Sequence, residues 1–142
     1  MSERKYLPTL AELIDRLSIV QLKAIFIAEN KDAYDAEMAL IEHDIDLLMQ
    51  EKDVVGWTLT AAQIRAVMVC MLANHTIWLN ESKARLGGSD QDHLLKFTHS
   101  INGVRNTAKN IISRSAGERV DLKIDALAAS LVPEFGNWNV FK

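Results

Sequence analysis

The feature that most constrains the fold is an apolar periodicity of three and four residues, which recurs in four successive segments of the chain. This spacing places apolar side chains on one face of an α-helix, whereas a strand would show strict alternation. The segments extend over about 10–29, 32–52, 61–86 and 89–115. Short turns join them, and helices joined by short turns pack as antiparallel neighbours. The pattern therefore predicts an all-α antiparallel bundle of about four long helices.

Capping sequences mark the helix boundaries. Thr9 and Glu12 have the spacing of a capping box, and so do Thr60 and Gln63. The segment 87–89, Gly-Gly-Ser, ends the third helix and opens the fourth. The first helix has a wide apolar arc, which predicts that it is covered on more than one side, by the core or by a second subunit.

The second helix carries a heptad seam, in which apolar residues alternate at spacings of four and three. The seam consists of Tyr34, Met38, Ile41, Ile45 and Leu48, and Leu40 and Leu47 widen it. Carboxylates stand between these positions, most simply as a solvated acidic face. We expect the seam to supply contacts between subunits of a homo-oligomer.

The C-terminal tail is compatible with two structures. Residues 120–126 alternate as a strand would, but 124–131 also fit a short helix that ends before Pro133. Because no partner strand is evident, we expect a short C-terminal helix. The aromatic residues that follow, Phe135, Trp138 and Phe141, should cover the body of the protein or a neighbouring subunit.

Composition places the chain among ordinary globular proteins. With 142 residues, 49% hydrophobic and 25% charged, it should form a single domain over 1–142. No apolar run approaches the roughly 20 residues needed to cross a bilayer, and the N-terminus lacks the features of a signal peptide. We therefore expect a cytoplasmic location without membrane association. Cys70 is the only cysteine and lies among apolar residues, which predicts a buried and inert thiol.

Charge is distributed unevenly along the chain. Residues 1–58 carry twelve acids and six bases, whereas 93–117 contain no acid and four bases: Lys96, Arg105, Lys109 and Arg114. Two interpretations stay open: an acidic helix packs beside a basic one, or the basic segment meets an anionic ligand. Binding of duplex nucleic acid is not expected, because the net charge is −3 and the bases are few.

Polar residues at helical spacing form the candidate site. One face of the third helix begins apolar and then turns polar at Asn74, Trp78, Glu81 and Arg85. The fourth helix presents Asn102, Asn106 and Lys109 opposite its apolar stripe, with Arg105 at the border. Asparagine is less favourable than lysine or glutamate inside a helix, so a face that contacts only water would not favour several of them. Either this face is solvated or it lines a polar pocket.

These residues resemble a family of small all-helical bacterial and phage proteins, a domain of unknown function. The similar elements are Leu-Ser-Ile at 17–19, Asn-x-x-x-Trp at 74–78, Glu-x-x-Ala-Arg at 81–85 and Arg-Asn at 105–106, in the same order. The resemblance spans most of the chain. It implies an all-helical fold with no established activity.

The resemblance also implies one shared site, formed by Trp78, Glu81, Arg85, Arg105 and Asn106. The family often has His and Asp near the positions of Leu79 and Ser82, and this chain departs from it there. The resemblance therefore implies no His or Asp group at these two positions of this protein.

The resulting hypothesis is a non-catalytic binding protein with a polar site between helices for a small anionic, nucleotide-like ligand. Arg85 and Arg105 would hold the anion, Trp78 would stack on a ring, and the asparagines would orient the ligand. In a phage setting, such a protein could sequester a nucleotide signal. No cofactor is expected. The full set of predicted binding residues is Asn74, Trp78, Glu81, Arg85, Asn102, Arg105, Asn106 and Lys109.

Two alternatives remain. The first is a magnesium-dependent nucleotide hydrolase that would use Glu42, Asp46 and Glu81, because a triphosphate requires its charge to be neutralised for attack by water. The second is a structural oligomerisation module, in which Glu81 and Arg105 pair between helices and fix their register.

Overall fold

Four α-helices dominate the computed structural model, which describes residues 3–85, 91–120 and 138, with the backbone alone for 84, 85, 91–93 and 95. They are α1 (Leu10–Phe26), α2 (Lys31–Val54), α3 (Ala61–Arg85) and α4 (Gln91–Ser115), and a short 3-10 helix, Ala28–Asn30, follows α1. The described residues include no strand, which confirms the all-helical fold. None of these helices is long and apolar enough to cross a membrane.

Contacts along α1 give the directions of the other helices. Arg16 of α1 pairs with Glu37 of α2, whereas Leu13, nearer the start of α1, lines a cavity with Leu48, farther along α2, so the two helices run antiparallel. In the contacts between α1 and α3, higher residue numbers on α1 meet higher numbers on α3. In the contacts of α1 with α4 and the residues just after it, higher numbers on α1 meet lower numbers. The pairs that show this are Asp15 with Asn74 and Phe26 with Trp78, then Leu10 with Glu118 and Asp15 with Lys109. Helix α1 therefore runs parallel to α3 and antiparallel to α4.

Helix α1 is the central helix, because it contributes to two separate cores. Leu10 and Ala11 are buried with apolar residues of α3 and α4, such as Cys70 and Val104. Val20 is buried on the other side, in a cluster with residues 38 and 41 of α2. The predicted cover on more than one side of α1 is confirmed, and this chain itself supplies it.

The heptad seam of α2 faces α1. Met38 and Ile41 are buried against Val20, and Tyr34 and Ile45 are partly buried beside them. This corrects the expectation that the seam supplies contacts between subunits. The physical reason is that α1 is apolar on both sides, and within one chain the two helices already bury these surfaces together.

The acidic helix does not lie alongside the basic one. Helix α2 packs chiefly against α1, whereas α3 and α4 form the most extensive helix pair. The fold therefore contradicts the first interpretation of the charge asymmetry, in which an acidic helix packs beside a basic one. As a result, most carboxylates of α2 face solvent. Two cations of α4, Arg105 and Lys109, contact residues of α3 and α1 instead.

Small side chains bring α3 and α4 close together. Ala66 and Ala73 of α3 and Gly103 and Ala108 of α4 are all buried. Residues of this size permit a short distance between helix axes. Polar side chains on the neighbouring positions of both helices can then reach one another and α1.

The capping sequences behave largely as predicted. Thr60 N–H donates to Gln63 Oε1 at 2.8 Å, and Gln63 N–H donates to Thr60 Oγ1 at 3.4 Å, so this capping box is confirmed. Thr9 Oγ1 accepts from Glu12 N–H at 3.2 Å. The Glu12 side chain, however, pairs with Arg119 instead of completing its own box.

Glu118 joins the ends of three helices. Its Oε1 accepts a hydrogen bond from Leu10 N–H at 2.9 Å, which satisfies one of the free donors at the start of α1. Its Oε2 lies 3.8 Å from Lys52 Nζ at the end of α2, and both side chains are only 15% exposed. Lys52 Nζ also donates to the carbonyl oxygen of Ala116 at 3.0 Å, just after α4.

The C-terminal predictions fall mostly outside the described residues. This applies to the short helix, to the question of helix or strand over 121–126, and to Phe135 and Phe141. Trp138 is described, and it packs partly buried against the core shared by α1, α3 and α4. For this residue, the predicted cover of the protein body is observed.

The substitution Glu118→Ala tests the junction of the three helices. We expect it to lower the free energy of unfolding by about 2 kcal/mol, because it removes a charged hydrogen-bond acceptor and leaves Lys52 with little compensation. Urea unfolding followed by circular dichroism measures the change. The matched control is Glu51→Ala on exposed α2, which should change stability by less than about 0.5 kcal/mol. Equal effects of the two substitutions would contradict the assigned role.

Candidate functional site

The side chain of Asn74 lies at the centre of a polar network between three helices. It is only 4% exposed. Its Nδ2 donates to Asp15 Oδ1 at 2.8 Å and to Ser18 Oγ at 2.6 Å, both on α1. Its Oδ1 accepts from Arg105 Nη1 on α4 at 3.1 Å. One amide therefore connects α3 to both α1 and α4.

The chemistry of the partners fixes the orientation of this amide. The Arg105 guanidinium can only donate, and an ionised Asp15 carboxylate can only accept. The Asn74 oxygen must therefore face Arg105, and its nitrogen must face Asp15. An aspartate at position 74 would place two carboxylates together, and a leucine would remove the hydrogen bonds that Asp15 and Arg105 make with this position. Asparagine is suited to this position because it both donates and accepts.

Among the residues that the structure describes, Asp15 is the only carboxylate of the network. Its Oδ2 lies 3.8 Å from Lys109 Nζ, and the two side chains are 14% and 16% exposed. Its Oδ1 also accepts from Cys70 Sγ at 3.4 Å. Ser18 Oγ donates to the backbone oxygen of Asp15 at 2.7 Å. These contacts hold the carboxylate at the interface of α1, α3 and α4.

The network contains more positive than negative charge. Arg105 and Lys109 are both cations, and within the described part of the chain Asp15 is the only acid that forms an ion pair with either. Arg105 Nε is buried and has no hydrogen-bond partner among the described residues. A buried donor without a partner costs about 1–3 kcal/mol. Counted over the described residues alone, the network thus has an unused N–H on Arg105 and a net charge near +1.

Burial raises the pKa of the Cys70 thiol well above its ordinary value, and the neighbouring carboxylate of Asp15 adds to this effect by charge and by hydrogen bonding. The cations of Arg105 and Lys109 act in the opposite direction but do not outweigh burial. Cys70 therefore stays a protonated thiol at neutral pH, and its side chain is 0% exposed. The predicted buried thiol is confirmed.

Trp78 belongs to an aromatic cluster and not to the polar network. Its ring stacks on Phe26 with centroids 5.8 Å apart, and Phe26 also stacks on His75 at 6.1 Å. Phe26 remains 50% exposed. Trp78 follows Asn74 by four residues, so the aromatic cluster lies about 6 Å farther along α3.

Three of the eight predicted binding residues meet in the polar network. Asn74, Arg105 and Lys109 come together, and Trp78 lies one turn away. Glu81 is exposed at the surface of α3, and the side chain of Arg85 lies outside the described residues. Asn102 and Asn106 are partly buried on α4. The structural alternative pairs Glu81 with Arg105, whereas in the structure Arg105 donates to Asn74 and Glu81 is exposed.

Sequence reasoning missed Asp15 and Ser18 as members of the network. A usable signal existed, because one face of α1 is apolar at both ends and polar between them, at the helical spacing of Ala11, Asp15, Ser18 and Leu22. A carboxylate and a hydroxyl within a buried stripe require polar partners on a neighbouring helix. Asp15 and Ser18 therefore indicated the same interface as Asn74.

The carboxylates of the hydrolase alternative are dispersed. Glu42 and Asp46 are exposed on α2, and Glu81 is exposed on α3. Throughout the described ranges, no three His, Cys, Asp or Glu side chains are grouped so that they could hold a metal ion. The three carboxylates named for magnesium therefore have no common site in this arrangement.

Comparison with known proteins gave no match to a protein-family model, to a curated protein or to a solved structure. The resemblance to the family of small bacterial and phage proteins therefore stays a prediction. Functional inference for this chain depends on its own side chains and their geometry.

Removal of the central amide tests the network as a structural unit. We expect Asn74→Ala to lower the free energy of unfolding by about 2–3 kcal/mol, because Asp15 and Arg105 would each lose a buried partner. Denaturant unfolding gives the value. The control is Asn102→Ala, a partly buried asparagine in a helix, for which we expect a change of less than about 0.5 kcal/mol. If the two variants are equally stable, the network does not contribute as described.

The reactivity of Cys70 tests the packing around the same carboxylate. We expect Ellman's reagent to react with native protein at pH 8 only as fast as the protein opens, because the thiol is buried and its pKa is raised. Full reaction should follow at once in denaturing urea, which serves as the control. Stoichiometric labelling of the native protein within seconds would show that the network is open to solvent.

Proposed function

We propose that this protein is a non-catalytic binding protein that holds a small anionic group at the polar network of α1, α3 and α4. The observation that carries the proposal is the buried Arg105 Nε without a partner among the described residues. A phosphate or carboxylate oxygen is the acceptor that such a donor prefers, and charge-assisted hydrogen bonds of this kind are the strong ones.

The geometry of Arg105 supports an anion in particular. Its Nη1 donates to Asn74, so the guanidinium is held in one orientation, with Nε on a different edge. A planar guanidinium can present Nε and a second N–H side by side to two oxygens of one anion. Because the side chain is already oriented by Asn74, less rotamer freedom would be lost on binding.

Lys109 provides the second positive charge. Its distance of 3.8 Å from Asp15 is at the outer limit of an ion pair, and an ammonium group has three protons to donate. An anion beside Arg105 would also reduce the excess positive charge of the network. Favourable binding therefore does not require Asp15 to be displaced.

The aromatic cluster supports a ligand with a ring or an apolar part. Phe26 is half exposed, and Trp78 lies about one helical turn from Asn74. A nucleotide-like molecule combines an anionic group with a flat ring at a distance of this order. The exposed part of Phe26, together with Trp78, is the surface that such a ring would contact.

Isothermal titration calorimetry with inorganic phosphate and a panel of nucleotides, with and without Mg²⁺, tests the proposal. We expect a saturable heat for at least one anion, without release of phosphate. Arg105→Lys keeps the charge but removes the Nε donor, so affinity should fall at least about tenfold, which corresponds to one charge-assisted hydrogen bond. Arg114→Lys, at an exposed position of the same helix, should bind as the wild type does.

Other outcomes identify the alternatives. Released phosphate would contradict a non-catalytic role and would indicate a hydrolase, although one that does not use Glu42, Asp46 and Glu81 as a common magnesium site. Absence of heat for every anion, together with a large loss of stability in Asn74→Ala, would leave the network as a device that fixes helix register. Equal weakening by Arg105→Lys and Arg114→Lys would indicate general attraction to a basic surface.

A further inference from the structure

The outer face of α2 carries a line of exposed apolar side chains. Leu40 is 70% exposed, Leu47 is 46% exposed and Val54 is 87% exposed. They are seven residues apart, which places them in one row with about 10 Å between neighbours. Ile41 and Leu48, one residue later, are turned by about 100° toward α1. Helix α2 therefore has two heptad rows, one buried within the chain and one at the surface.

Carboxylates border the outer row on both sides. On one side, Asp44 and Glu51 stand four positions after Leu40 and Leu47. On the other side, Asp46 and Asp53 stand one position before Leu47 and Val54. All four carboxylates are exposed. In a pair of helices, these are the positions that flank an apolar seam and meet charges of the partner. The two cations of α2 are already engaged, Lys31 with Asp35 and Lys52 with Glu118.

A cavity of about 250 Å³ extends this surface toward the N-terminal end of α1. Leu7 and Leu13 line it from one side, and Leu47 lines it from α2. Asp44 and Glu51 also contribute to its wall. An apolar recess next to the row could receive a large side chain of a partner, with carboxylates at its margin.

We infer that this face of α2 is a docking surface for an amphipathic helix of another protein, one with an apolar seam flanked by lysine or arginine. The inference rests on charge complementarity. The partner's basic residues would meet Asp44, Asp46, Glu51 and Asp53, while its apolar seam would cover the exposed row.

A second copy of this chain does not fit the same surface. Helix α2 contains eight acids and two bases, so pairing α2 with α2 would place carboxylates against carboxylates. Like charges across an interface disfavour association. The surface also lies on the opposite side of α1 from the polar network, so it is independent of the proposed anion site.

Fluorescence anisotropy with labelled synthetic helices of about three heptads tests the inference. One peptide has leucine at the seam and lysine at the flanking positions, and the other has glutamate in place of lysine. We expect the lysine peptide to bind and the glutamate peptide not to bind. Affinity should fall when ionic strength is raised, because exposed ion pairs are screened by salt.

Matched variants separate docking from general attraction. Leu47→Ser should weaken the lysine peptide about tenfold, because it removes a large apolar contact of the row. Leu72→Ser changes a leucine of similar exposure, 53%, on α3 and should bind within about twofold of the wild type. Circular dichroism confirms that both variants are folded.

Three results would overturn the inference. The first is equal binding of the lysine and glutamate peptides. The second is binding of the lysine peptide that neither Leu47→Ser nor Leu40→Ser weakens, which indicates attraction to an acidic surface without docking. The third is a wild-type dimer in light scattering that Leu47→Ser converts to monomer, which would make a second copy the occupant of the row.

Discussion

The interaction on which the arrangement of helices depends is the set of hydrogen bonds made by the Asn74 side chain. Two donated bonds reach α1 and one accepted bond comes from α4. Apolar packing between these helices is not directional and tolerates displacement along the helix axes. The Asn74 amide does not tolerate such a displacement, because a shift of α3 by one turn would break its hydrogen bonds to both Asp15 and Arg105. The network thus fixes the axial position of three helices whose apolar faces alone would allow several.

This specificity carries an energetic cost that the apolar cores must offset. Asp15 and Lys109 are mostly shielded from water, and a buried ion pair is often no more stabilising than apolar residues of the same volume. The excess positive charge and the unpartnered Arg105 Nε add to this cost. If only register were needed, Asn74, one carboxylate on α1 and one cation on α4 would suffice. Register alone does not explain the second cation, Lys109, whose positive charge would instead help to hold an anion.

Much of the fold could be predicted, because it depends on local patterns. The spacing of Met38, Ile41 and Ile45 gives both the helix and the face that it buries, and the Thr60 and Gln63 pair marks the start of α3. What the pattern does not contain is which helix covers which face. The seam of α2 was expected to contact another subunit, but α1 is short, central and apolar on both sides, so it takes that place.

The candidate site could be predicted only in part, for a related reason. Asn74, Arg105 and Lys109 were identified from their spacing on two helices. Their main partner, Asp15, lies on a third helix, and a single helical face does not indicate which distant carboxylate will meet it. Glu81 was assigned to the site because it continues the face of Asn74. Its exposure shows that a face can leave the core as the helix extends past its neighbour α1, which ends at Phe26.

The position of α1 also explains why the uneven charge of the sequence is not neutralised inside the fold. Since α2 packs chiefly against α1, its carboxylates do not reach the cations of α4. The acidic charge then remains at the outer surface, beside the exposed row of Leu40, Leu47 and Val54. Two of the four bases of 93–117, Arg105 and Lys109, lie inside, beside Asn74. Within the part of the chain that the structure describes, the acidic outer face of α2 therefore lacks cations to pair with, and the basic polar network lacks a second anion. The two proposals for this protein follow from that single separation of charge by the central helix.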